Sequence, residues 1–410
     1  MSRAKGGGTA ALYAVFFLNG IVLASWAPRI PQVKERLGLS DGQLGLALLG
    51  VALGSVPAMP AAGALVNRFG SRTVARAAVL VYAPAIALPG LAGSLTGLMA
   101  GLVVLGASVG ALDVAMNAHA VDLERSSGRT RLSSFHGLFS AGALAGALLG
   151  TLAATGGVSP RTQFTVSAAV GVVAAGLAAA ALHPAAARPA APAAPQPGAR
   201  AAAGGRGGRG AARLLPLSAL GLCVLLIEGV MTDWGSVYLA GSLHAGPGLA
   251  GAGYAVFALA MMAGRLGGDR TAGRFGPVRV VRFGALLSAA GAVVALASGH
   301  PVVSAVAFGA VGLGIAASFP LVVSGASRVP AASPGTAVAT VSTTGYFAFL
   351  AGPPLIGFLA THSSLRTALL LVPALALAAA ALAPFLPAGG GTAPTGAQQE
   401  LPVLREEAPS

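Results

Sequence analysis

One cysteine in 410 residues, Cys223, excludes an intrachain disulfide and a cluster of thiolate metal ligands, and its apolar neighbours mark it as packing. Acids are scarce as well. Eleven Asp and Glu face 25 Lys and Arg, for a net charge of +14. That balance suggests an anionic partner, yet charged residues of both signs make up only 9% of the chain, where soluble domains carry about 25%. So few charges cannot coat a water-soluble fold of this length, nor form the dense basic surface that nucleic acid requires, so no nucleic-acid partner is expected. Signatures of chemistry are missing too: there is no phosphate-binding glycine-lysine loop, no His-Glu-x-x-His, and no nucleophile with its base and acid. Neither an enzyme nor an ATP-driven pump is expected, and no cofactor or metal.

What the chain has in excess is apolar surface and glycine. Hydrophobic residues are 55% of the total, and 60 glycines are about twice the usual share, which suits closely packed helices in a membrane. Stretches of roughly 20 apolar residues, enough to cross about 30 Å of hydrocarbon, number twelve. They run over 9–27, 43–66, 73–92, 95–121, 132–155, 161–182, 214–240, 247–268, 278–298, 301–326, 334–360 and 364–386. The first continues well past a signal sequence and shows no cleavage site, so it is read as a retained helix. No run alternates with period two as a barrel strand would. The predicted fold is an all-α polytopic membrane protein.

With the N-terminus inside, every Lys and Arg except Arg29, Lys34, Arg36, Arg161 and Arg366 falls on the cytoplasmic side, a strong positive-inside signal. Residues 183–213, rich in Pro, Ala and Gly with five arginines and no acid, read as a disordered cytoplasmic linker. The predicted organisation is therefore a cytoplasmic tail (1–8), a six-helix bundle (9–182), the linker, a second bundle (214–386) and a disordered cytoplasmic tail (387–410). The expected location is the plasma (inner) membrane, with lipid contacts and a monomeric state.

The halves share landmarks. Asn67-Arg68-Phe69-Gly70 follows the second run, and Gly273-Arg274-Phe275-Gly276 follows the eighth, 206 positions later; Trp26 and Trp234 recur 208 apart. Matching marks at one offset indicate a duplicated unit and two pseudo-symmetric bundles. At these residues the chain resembles the major facilitator superfamily: Gly63-x-x-x-Asn67-Arg68-x-Gly70-x-Arg72 is similar to its loop motif between helices two and three, with Asn67 where the family usually has Asp. The segment Asp113-Val114-Ala115-Met116-Asn117 is similar to the fucose permease branch, in which an acid followed four residues later by Asn marks proton coupling. Ser25 to Pro31, Glu228 to Trp234 and Gly352-Pro353-Pro354 resemble an inner-membrane group near those permeases.

Three acids fall inside the runs: Asp113, Glu228 and Asp233. A carboxylate at mid-bilayer is costly unless it faces a cavity, a partner or a proton route. Asp113 lies nine residues, about 13 Å, before the helix-end acid Asp122, near the midplane, with Asn117 one turn away on the same face. It is the expected proton-coupling residue; the competing reading is a structural carboxyl. Glu228, about 22 Å along its helix from Arg213, is a second candidate, and Asp233, at about 30 Å, suits a gate or helix end. For both, an intramembrane bond is the competing reading, with Arg29 as one partner.

Candidate substrate contacts are Asn19, Trp26, Asn117, His136, Tyr346 and Phe349. Asn19 and Trp26 share one face of the first helix, although an interfacial aromatic belt also explains Trp26 and Trp234. His136 serves as proton relay or as packing histidine, and Tyr346 with Phe349 belongs to a polar and aromatic stretch suited to a cavity wall. Gly352-Pro353-Pro354 is expected to interrupt or kink its helix. By resemblance, Gly63, Asn67, Arg68, Gly70 and Arg72, with Asp269, Arg270 and Arg274, form an inner gate or loop motif, which topology and lipid contacts explain equally. The expected function is secondary transport of a small solute, by proton symport of a polar molecule such as a sugar. Proton-driven export ranks second, because the helix-five stretch Ser140 to Gly146 lacks the proline usual in drug exporters of the superfamily. A membrane sensor that binds solute without moving it is the alternative of another class.

Overall fold

The computed structural model describes residues 2–127, 131–182, 208–329 and 334–387. Among these residues every regular element is a helix, and twelve candidate spans are long and apolar enough to cross a membrane. In chain order they are span 1 (Thr9–Arg36), 2 (Asp41–Phe69), 3 (Ser71–Leu91), 4 (Leu95–Ser126), 5 (Ser134–Thr155) and 6 (Pro160–Ala181). Then follow span 7 (Leu214–Gly241), 8 (Pro247–Phe275), 9 (Pro277–Ala297), 10 (Pro301–Ala326), 11 (Thr340–His362) and 12 (Leu365–Phe385).

Local chemistry sets where spans begin. Ser40 caps span 2 by accepting from the Gln43 N–H at 3.2 Å, while the Gln43 side chain accepts from the Ser40 N–H at 3.0 Å. This reciprocal box satisfies two donors that an open helix end would orphan. Ser159 and Ser364 cap spans 6 and 12 through Thr162 and Thr367. Span 1 turns at Ser25 and Trp26 and resumes as two short helices, Ala27–Arg29 and Ile30–Arg36. Pro28 and Pro31 sit in the first turns of these pieces, where proline's missing donor is tolerated.

Three boundaries differ from the sequence reading. The first span continues to Arg36 rather than ending at residue 27, because those proline-started turns carry it onward. The helix of span 7 begins at Gly208, inside the stretch read as linker, and the helix of span 1 begins at Ser2, inside the predicted tail. Residues 183–207 and 388–410 lie outside the described residues. Gly352-Pro353-Pro354 does not interrupt span 11: one helix, Pro334–His362, runs through both prolines. In a membrane bundle, neighbouring helices re-satisfy what proline frees, and here Gly45 of span 2 packs directly on the Pro353 carbonyl and Gly357.

Packing repeats between the halves. In the first half span 2 packs on 4, 1 on 5, 3 on 4 and on 6, and 1 on 6; adding six to each number reproduces the pairings of the second half. Glycine permits the closest of these contacts. A Cβ on Gly54 would stand 2.0 Å from the Val103 carbonyl oxygen, and one on Gly106 2.0 Å from that of Val51, so spans 2 and 4 meet backbone to backbone. The fold is thus two pseudo-symmetric six-helix bundles. Large apolar side chains such as Leu152, Val170, Leu177 and Leu266 point outward from them. In water such a surface would be an aggregation hazard, whereas in lipid it is the solvent-facing side.

The bundles meet along two related seams, span 2 against 11 and span 5 against 8. Close approaches fall at the end of the molecule opposite the chain termini, here the distal end: Gly42 to Thr361, Gly45 to Pro353, Gly248 to Thr155, and Gly251 to Thr151 and Pro28. Toward the terminal face, His136 of span 5 and Arg265 of span 8 are exposed, while Asp113, Asn117 and Glu228 are partly so. Tight contacts at the distal end and exposed polar side chains toward the terminal face imply a cleft between the bundles that opens on the terminal face.

Candidate functional site

The wall contributed by the first bundle is built on span 4. Asp113 and Asn117 are one helical turn apart, and the Asn117 amide donates to the Asp113 carbonyl at 2.8 Å and to its carboxylate Oδ1 at 3.2 Å. His136 of span 5 reaches the other end of the amide, with Nε2 3.1 Å from Asn117 Oδ1. Since an amide oxygen only accepts, His136 donates there. Its ring stands edge-on to Phe16 at a centroid distance of 5.3 Å. Asp113, Asn117 and His136 therefore form one chain of polar contacts from the carboxylate toward the open cleft.

The second bundle presents a charge pair. Arg265 Nη2 donates to both carboxylate oxygens of Glu228, at 2.9 and 3.1 Å, joining span 8 to span 7. The side chains of Arg265 and Glu228 keep 37% and 22% of their surface exposed, so the pair is accessible rather than sealed in the bundle. Span 8 packs on span 5, so Arg265 and His136 stand on neighbouring helices of the two bundles. The sequence reading missed Arg265, although an arginine ten residues inside the end of span 8 was a usable signal. It also offered Arg29 as a partner of Glu228 or Asp233, and this is corrected. Arg29 is buried, 1% exposed, and donates to the Val158 carbonyl, because the turn at Pro28 aims it along its own bundle. Asp233 makes no hydrogen bond or ion pair among the described residues.

Asn19 is buried beside this wall, its amide 3.7 Å from Met116 sulfur, its Oδ1 unpartnered among the described residues and its backbone carbonyl accepting from Tyr82 at 2.8 Å. Trp26 and Trp234 are buried as well, with neither indole N–H bonded among the described residues; Trp26 packs on Phe164 with ring centroids 5.9 Å apart. Both lie inside the protein rather than in a lipid-facing belt. Phe349 is partly exposed beside Gly229 of span 7, and the Tyr346 side chain lies outside the described residues.

The loop-motif residues form two equivalent turns. Gly70 and Gly276 both have φ of 81°, with ψ of 148° and 151°, a backbone region that favours glycine. Before each, an arginine covers the neighbouring ring: Arg68 on Phe69 at 5.1 Å and Arg274 on Phe275 at 5.2 Å. Gly63 is buried, while Asn67, Asp269 and Arg270 are exposed. Arg72 donates to the Leu182 carbonyl at 2.8 Å, and Arg76 reaches the carbonyls of Ala180 and Leu182, capping the C-terminal end of span 6. None of these arginines forms an ion pair across the bundles among the described residues, as the open cleft requires. Beside them is a cluster without a forerunner in the sequence reading: Ser71 donates to Asp122 at 2.6 Å and meets His119 Nδ1 at 3.2 Å.

Two bundles, two seams and paired loop turns are the architecture of one transporter family, and residues 12–270 and 217–406 both match the model of the Major Facilitator Superfamily. The chain belongs to the major facilitator superfamily. An uncharacterized MFS-type transporter of Yersinia pestis is 36% identical over 374 residues, covering 90% of this chain and 93% of that protein. A solved D-xylose-proton symporter superposes with a TM-score of 0.71 at 15% identity, covering 93% of this chain and 98% of its own. The fucose:proton symporter of E. coli does so with a TM-score of 0.58 at 18% identity, covering 92% and 98%. At those identities the two structures establish shared fold alone. As a member of the superfamily this chain is a multi-pass membrane transporter of small solutes, not an enzyme.

Proposed function

We propose that the protein is a proton-coupled symporter of a small polar solute, working as a monomer in the inner membrane with both termini in the cytoplasm. The observation that carries this reading is the line of contacts from His136 through Asn117 to Asp113, which connects a mid-membrane carboxyl group to the open cleft. The excess of Lys and Arg on the terminal face supports the cytoplasmic placement, so the cleft opens inward. Sugars are the solute class favoured by the likeness to D-xylose and fucose symporters.

Two rigid units, residues 9–182 and 214–386, rock about the central site. A proton neutralises Asp113 and removes the charge that resists enclosure between apolar helices. Solute and proton cross together; on release, Asp113 gives its proton to cleft water and His136, while Asn117 orients the carboxyl group. Glu228 acts as the second ionisable group, paired with Arg265. Asn19, Asn117 and Phe349 border the solute path, and the arginines of the two loop turns close the inner gate when the bundles swing. The test is solute uptake by proteoliposomes under an imposed proton gradient, with Asp113→Asn as the comparison. Unchanged proton dependence in that variant would sink the coupling role.

A further inference from the structure

We infer that the transported solute is a small hydroxylated carboxylic acid, its carboxylate held by Arg265 and its hydroxyl groups by Asp113 and Asn117. This assignment rests on the transporter reading above and narrows its solute.

Arg265 lies ten residues, about 15 Å, inside the terminal-face end of span 8, so its charge is placed within the span rather than at a loop. Such a charge needs compensation. Glu228 provides only part of it: a single nitrogen, Nη2, serves both carboxylate oxygens at 2.9 and 3.1 Å, while Nε and Nη1 have no partner among the described residues. A guanidinium is a planar fork that matches a carboxylate with two parallel bonds. Here that capacity is spare and turned to the cleft, with the side chain 37% exposed. The facing wall of the first bundle offers, besides His136 engaged with Asn117, no further cation in the polar chain described above. It has acceptors and switchable donors instead: the Asp113 carboxyl, whose Oδ2 carries no bond among the described residues, and the Asn117 amide.

The two walls therefore ask for different ends of one molecule. The end at Arg265 is an anion. The end at Asp113 is a hydroxyl, since a carboxyl group that takes up a proton during transport both donates to and accepts from a hydroxyl, whereas an ammonium group would need it permanently ionised. An acid also suits symport energetically, because one carboxylate travelling with one proton crosses the membrane with no net charge.

The test is thermal stability of the full purified chain with D-glycerate and D-gluconate against their neutral counterparts glycerol and D-glucitol at equal concentration. At least one acid is expected to raise the melting temperature by several degrees, and neither polyol. The response should vanish in Arg265→Gln and in the charge-balanced double variant Arg265→Gln/Glu228→Gln, which leaves no carboxylate unpaired. An equal shift with a polyol, no shift with either acid, or an acid shift retained in the double variant would overturn the assignment. Binding is read here without a proton gradient, so acid recognition and proton coupling fail or stand separately: an Arg265-dependent shift in a protein whose uptake ignores pH removes the coupling and keeps the solute.

Discussion

Arg265 and Glu228 lie 37 positions apart in sequence, yet one guanidinium nitrogen bridges both carboxylate oxygens within 3.1 Å. Their bond ties span 7 to span 8 at the wall of the cleft. A double-mutant cycle on purified protein should give a coupling of about 1 kcal/mol or less, the range for partly exposed pairs. Glu228→Gln alone is expected to lower the melting temperature more than the double variant Glu228→Gln/Arg265→Gln, because the single change leaves a cation without its partner.

The proposed coupling role of Asp113 sets the expected proton dependence. In proteoliposomes an acidic exterior is expected to raise wild-type uptake severalfold, and Asp113→Asn should abolish that rise while solute exchange at equal pH persists. His136→Gln, which keeps a donor to Asn117 but cannot carry a proton, should slow proton-driven uptake and spare exchange.

The distal seam should be lockable. A Cβ on Gly42 would stand 3.8 Å from the Cβ of Thr361, and disulfides span about 3.8 Å between Cβ atoms. In a Cys223→Ala background, Gly42→Cys with Thr361→Cys should oxidise readily, join spans 2 and 11, and stop transport until reductant is added. Transport that continues in fully cross-linked protein would show that this end need not open.

The two loop turns should respond alike. Gly70→Ala and Gly276→Ala each force a side chain into a backbone region with φ of 81°, at a cost of roughly 1–3 kcal/mol. Thermal unfolding should show comparable losses for the two variants, as their common geometry requires.

Much of the site was legible because it is local. Asp113 and Asn117 are four residues apart on a helix, so sequence places them on one face, and depth along the run put them near the middle of the membrane. His136 was recognisable as a polar residue just inside span 5, but its bond to Asn117 depends on how spans 4 and 5 pack. Arg265 was hidden for a different reason. Counting arginines by side of the membrane absorbs it into the positive terminal face, where nothing separates it from the loop arginines until Glu228 is found beside it. Arg36, one of the few charges read on the distal side, donates to the carbonyls of Gly90 and Ala92 at the end of span 3.

The sequence by itself determined that this chain lives in a membrane, that it crosses twelve times in two related halves, and that Asp113 shares a helix face with Asn117. These follow from apolar run length, offset repeats and helical periodicity, all properties of short segments. Only the tertiary structure decided which end of the cleft is shut, that helix 11 passes unbroken through Pro353 and Pro354, and that Arg265 answers Glu228 while Arg29 answers Val158. Each of those depends on helices far apart in sequence meeting at one depth, and glycine at positions such as Gly45, Gly54 and Gly248 lets them come close enough to settle it.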